Sequence, residues 1–186
     1  MTESRGVAGR TENDLKAQGS ELCLACGLCC RGVFFVNTID PEDYGLSPSR
    51  RTLPPGTPAP PRCLLHVDNK CLIYDDPRKP VFCSDWQCHL LKQLLRNAVT
   101  LESAKDIVAE ITRLYERIAR FMPPDGSMPV VKQALEVWKN RKEELSAGRL
   151  SGAQLLDISS FLRLVDQYLK PYTPGLLRHS RSLPDS

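Results

Sequence analysis

With 186 residues the chain is long enough for one domain, or for a small module with a helical partner, around a modest core. Its formal charge of +3 is too small to mark nucleic acid or an anionic membrane as the main partner. No apolar run approaches the roughly 18 residues that cross a bilayer, and all eight cysteines fall between Cys23 and Cys88.

Residues 1–20 are polar, with Arg5, Arg10 and Lys16 but without the apolar stretch of a secretory signal. They are expected as a disordered lead, and the expected compartment is the cytosol, where thiols stay reduced. Cys23-Leu-Ala-Cys26-Gly-Leu-Cys29-Cys30 follows, opening a cysteine module over residues 21–92. Four cysteines so close together, in a reducing compartment, point to a metal–thiolate site before a disulfide framework. Cys23, Cys26 and Cys29 form two overlapping Cys-x-x-Cys turns, which aim three sulfurs at one point and leave backbone N–H groups near them. Adjacent residues project apart, so Cys30 is expected to serve a second metal or to bridge two ions. Val33-Phe34-Phe35-Val36 reads as a short buried strand. Asp40 as N-cap, Pro41 at the first helical position and acids behind it predict a short helix, stopped by Gly45 and Pro48. Leu53 to Pro61 is a stiff, proline-rich connector. Cys63-Leu-Leu-His-Val and Cys71-Leu-Ile-Tyr flank Asp68-Asn69-Lys70 as the arms of a β-hairpin. Pro77 and Pro80 then turn the chain toward Cys83 and Cys88.

From Trp86 the period becomes helical. Leu90, Leu91, Leu94, Leu95 and Ala98 form a first stripe. Thr100 caps a second helix with Ala104, Ile107, Val108, Ile111, Leu114, Tyr115 and Ile118 inward, ended by Pro123-Pro124-Asp125-Gly126. A third, with Pro129 in its first turn, turns Val130, Ala134, Val137, Trp138 and Leu145 inward and stops near Gly148. A fourth runs from about Ser151 to Lys170. These stripes are core packing, not ligand faces. The expected fold is α+β, mostly α: a loop-rich cysteine module with a short strand and a hairpin, packed on a helical bundle. Its parts are the lead (1–20), the module (21–92), the helical region (93–170) and a loose tail (171–186).

The candidate metal ligands are Cys23, Cys26, Cys29, Cys30, Cys63, Cys71, Cys83 and Cys88. Tetrahedral thiolate sites suit zinc and also iron–sulfur clusters. The Cys23/Cys26/Cys29 spacing matches the first three ligands of a bacterial [4Fe–4S] run, whose fourth would come from Cys63, Cys71, Cys83 or Cys88. Two Cys₄ zinc sites or a shared two-metal cluster suit the same eight sulfurs. Two zinc ions with eight thiolates leave about −4 of charge by simple counting, which Arg31, Lys70, Arg78 and Lys79 are placed to offset. His66 and His89, beside the cysteines, are expected outside the ligand set, although His89 could substitute if Cys88 faces away, and Asp75, Asp76 and Asp85 are expected as loop acids, with hydrogen-bonding to the ligands as the alternative. No glycine-rich phosphate loop, dinucleotide fingerprint or nucleophile–base signature stands out.

The same layout resembles the CxxCxxCC family, zinc- or iron-chelating cysteine-cluster proteins of YkgJ type. Its parts are Cys23/Cys26/Cys29/Cys30, Cys63 with Cys71-Leu-Ile-Tyr74, Pro80-Val-Phe-Cys83, and Cys88, over roughly residues 22–91. The family's Arg-Pro step is here Arg78-Lys79-Pro80, and Ser84 stands where an Arg often follows the cysteine. If that Arg balances thiolate charge, then Lys79, Arg78 or Arg31 does so here. The resemblance implies a cytosolic protein chelating zinc or iron, with the metal ion as its partner and a protein partner unidentified. A similar cysteine box in a flagellin lysine methylase implies the alternative, an iron–sulfur enzyme doing redox or group-transfer chemistry. An eight-sulfur shell without an open coordination position argues against catalysis by this chain alone.

Overall fold

The computed structural model describes residues 11–35, 41–46, 63–67, 70–80, 83, 86–124 and 128–170. The first helix, α1 (Glu12–Cys26), begins well inside the expected disordered lead, which is thereby corrected from residue 11 onward. Its cause is local. The Thr11 hydroxyl accepts the Asp14 N–H at 3.2 Å while the Asp14 carboxylate accepts the Thr11 N–H at 3.0 Å, a reciprocal cap. Gly27, at φ 58°, stops the helix in the left-handed conformation that glycine adopts without strain. Cys23 and Cys26 therefore sit on the last helical turn, and the expected overlapping turns begin only at Leu28.

The strand expected at Val33 does not form over its described part, residues 33–35. Instead the Gly32 and Val33 carbonyls accept the N–H groups of Val130 and Val131, each at 3.1 Å. The backbone of this run thus satisfies the opening of a later helix, and Val33 is fully buried there. The short helix expected after Asp40 is a 3₁₀ turn, Pro41–Tyr44. The hairpin is present, with β1 (His66–Val67) antiparallel to β2 (Lys70–Cys71) and His66 opposite Cys71. Val36, Asp40, the proline-rich connector, Asp68, Asn69 and the tail lie outside the described residues.

Helix α2 (His89–Leu95) is capped by Cys88, whose sulfur accepts the Leu91 N–H at 3.4 Å. It ends short of Ala98, where Asn97 turns left-handed at φ 57°. Helix α3 (Leu101–Phe121) starts at Thr100 as expected, its hydroxyl accepting the Ser103 N–H at 3.1 Å. The third expected helix is two: α4 (Val130–Lys139) and α5 (Arg141–Ser146). Asn140 breaks them (φ −94°, ψ 15°), and the Arg141 guanidinium lies over the Trp138 ring and donates to the Trp138 carbonyl at 3.0 Å. The break rotates the apolar face, so Leu145, expected inward, is 47% exposed. Gly148, at φ 64°, closes the segment. Helix α6 (Gly152–Leu164) opens on a second reciprocal cap, Ser151 with Gln154, and widens into a π turn, Val165–Leu169.

The result is mostly helical with a two-stranded sheet, an α+β fold. Its large core gathers α3, α4 and α6 but also Leu22, Leu28 and Val33 from the cysteine module. Helix α1 packs on both α2 and α3, with Glu21 paired to Lys105 across the second contact. The module is therefore anchored to the bundle through α1 and α2. A separate small cluster, Cys63, Leu65 and Ile73, holds the hairpin.

Candidate metal centre

All eight cysteines line one cavity of about 130 Å³, although Cys88 lies 65 positions along the chain from Cys23. All are free thiols. Local structure explains their convergence. Cys23 and Cys26, three apart on a helix, share a face. The contact of α1 with α2 carries Cys88, the cap of α2, to the same place. Gly27 allows the chain to turn tightly there: a side-chain carbon at this position would meet His66 Nε2 at 2.8 Å. His66 thus packs against the backbone between the two halves of the cysteine box.

Burial dominates the electrostatics. Desolvation, reinforced by neighbouring sulfurs, lifts the Cys26 and Cys30 thiols to about 12 and pushes Cys29 well above its ordinary value. Cys23 is exposed as a residue, yet enough protein surrounds its sulfur to lift it to about 11. Cys63, Cys83 and Cys88 are raised for the same leading reason. Opposing this, backbone N–H groups point at sulfur: Leu28 at Cys26, Leu65 and His66 at Cys63, and Leu90 and Leu91 at Cys88. Such donors favour the anionic thiolate that a metal requires.

The candidate counter-cations separate clearly. Arg78 is held by Asp76 at 2.8 Å, lies over the Tyr44 ring and donates to the Asp43 carbonyl at 3.2 Å. Arg31 pairs with Glu116 at 3.5 Å. Lys79 is the one that lines the cavity, with its Nζ 4.1 Å from the Tyr74 ring centre and 3.3 Å from the Tyr74 carbonyl. Among the described residues it has no carboxylate partner, and its charge favours the thiolates of Cys23 and Cys83. Asp76, engaged with Arg78, is a loop acid and stays below the usual carboxylate range through that hydrogen bond. His66 lines the cavity, whereas His89 is exposed on α2 and hydrogen-bonds Gln93 at 3.0 Å.

An aromatic wall was not apparent as part of the site from sequence. Phe34, Phe35 and Trp86 line the cavity with ring centres 5.3 to 6.4 Å apart. Among the described residues the buried Trp86 indole N–H has no hydrogen-bond partner. A buried donor of this kind is costly unless an acceptor arrives, and a metal-bound thiolate is one. The donor set and this orphaned N–H together fit a thiolate-bound metal. Among the described residues, however, no three His, Cys, Asp or Glu side chains are grouped closely enough to hold a single ion as they stand.

Comparison of the chain with protein-family models, with curated proteins and with solved structures finds no match. Among the described residues no helix is long and apolar enough to cross a membrane.

Proposed function

We propose that this protein binds zinc or iron through its eight cysteine thiolates, and that it works in the cytosol, where those thiols stay reduced. The observation that carries the reading is the convergence of all eight cysteines on one cavity. The resemblance of the cysteine spacing to the CxxCxxCC family supports it, and so does the unpaired indole N–H of Trp86 in the cavity wall. Metal ions are the expected partners, neither nucleic acid nor membrane is, and the helices offer a surface to a protein partner. The metal's first contribution is structural. In small zinc peptides a thiolate-bound ion is worth roughly 10–16 kcal/mol of folding free energy, enough to order a loop-rich segment.

A second reading, an iron–sulfur enzyme of redox or group-transfer type, rests on the Cys23/Cys26/Cys29 spacing, which matches the first three ligands of a bacterial [4Fe–4S] run, with a fourth sulfur of the same cavity completing the set.

Anaerobic purification with elemental analysis and an absorption spectrum tests both readings. Stoichiometric zinc in a colourless protein supports the structural module, and a brown protein with charge-transfer absorption near about 400 nm supports the iron–sulfur centre. A fully folded preparation without metal that also fails to take up either ion contradicts both.

A further inference from the structure

We propose that the cavity holds two metal centres, Cys23, Cys26, Cys29 and Cys88 forming one and Cys30, Cys63, Cys71 and Cys83 the other. This division rests on the metal-binding reading above and adds which sulfurs share an ion or cluster.

Two kinds of observation point to it. The first is the packing. Cys26 and Cys88 lie against the large helical core, where α1 meets α2. Cys63 belongs instead to the small hairpin cluster, and Cys30, Cys71 and Cys83 are the cysteines packed around it. The second is the backbone. The Cys63 N–H donates to the Cys30 carbonyl at 2.8 Å, which pins the last residue of the cysteine box to the hairpin. Cys71 lies across the ladder from His66, and the Leu72 N–H donates to the Leu65 carbonyl at 2.9 Å, so Cys63 and Cys71 stay on adjoining arms.

The chemistry agrees with the division. Neighbouring residues point their side chains apart, so the Cys29–Cys30 pair splits naturally between two centres. Four thiolates close one tetrahedral zinc site or ligate one iron–sulfur cluster, so each set has the number of ligands one centre needs, and the sulfurs, not grouped for a single ion as they stand, would draw together on binding. Cys88 then supplies the fourth ligand that the Cys23/Cys26/Cys29 run lacks. Lys79 lines the same cavity and supplies a positive charge to it.

The test compares metal per chain in the wild-type protein and in Cys83→Ala, Cys88→Ala and the double variant. Each is loaded anaerobically with Zn²⁺, or with Fe²⁺ and sulfide, and then desalted. Each single substitution is expected to halve the metal content, and the double variant to hold none. Complete loss from either single variant with helical circular dichroism intact shows one shared cluster and overturns the division. So does full retention in either. Cys71→Ala and Cys26→Ala repeat the comparison if the first pair does not fold. A wild-type chain that takes up neither metal overturns the binding reading itself, whereas a loaded wild type whose variants fail to halve overturns the division alone.

Discussion

The helical bundle and the hairpin region hold their shapes in different ways. In the bundle, Ile111, Ile118, Ile158 and Phe161 are fully buried on long helices, and Thr100 and Ser151 satisfy the helix starts. Packing and caps hold these elements. In the hairpin region each strand is two residues long, the buried cluster among the described residues is Cys63, Leu65 and Ile73, and Leu64 and Leu72 are 58% and 53% exposed. Two-residue strands around so few apolar groups are not stable by themselves. The contrast teaches where the proposed metal would matter: the bundle has its own hydrocarbon core, and the hairpin region does not.

The largest expected effect follows from removing the proposed metal. Chelation is expected to abolish amide-exchange protection over residues 63–80, a loss on the order of 10–16 kcal/mol per structural ion, while α3 and α6 keep theirs. Loss of protection in α3 together with the hairpin would erase the distinction.

The dependence on pH sharpens it. In metal-free protein the folded-state thiols of Cys23, Cys26 and Cys30 lie at about 11, 12 and 12 against an ordinary value of 9.0, raised first by burial. Groups raised in this way contribute stability below the unfolded value and lose it as pH climbs from about 9 through about 12. The metal-loaded protein is expected to behave oppositely, because protons compete with the ion for sulfur and acid strips it. Denaturant titrations of both forms across the two ranges measure this. An alkaline limb missing from the metal-free form would contradict the burial of these thiols.

Within the bundle, Phe161→Ala is expected to cost about 3–5 kcal/mol of global stability with no change in metal per chain, read by chemical denaturation beside elemental analysis. Smallest is Thr100→Ala, expected to cost about 1 kcal/mol through loss of the α3 cap, again without effect on metal. Metal loss in either variant would show that the two regions are not energetically separable.

The sequence already showed what depends on period and on side-chain chemistry. The inward faces of α3 and α6, the Thr100 cap, the hairpin and the Gly148 stop all have local signals, and local physics decides them. The start of α1 was hidden because Glu12 to Lys16 show no apolar stripe, and the pairing of Thr11 with Asp14 was the signal that could have revealed it. Val33 to Phe35 mimicked a strand because β-branched and aromatic residues also suit a buried turn whose carbonyls bond a distant helix. Cysteine spacing marked the candidate site residues, but their arrangement depends on α1 meeting α2, a contact between distant parts of the chain. The choice of Lys79 over Arg31 and Arg78 was equally out of reach, since Glu116 and Asp76 occupy the two arginines only in three dimensions.

X-ray absorption at the edge of the bound metal tests the central claim most directly. The account expects a first shell made of sulfur alone, at about 2.3 Å for zinc. A shell dominated by oxygen or nitrogen near about 2.0–2.1 Å would contradict it.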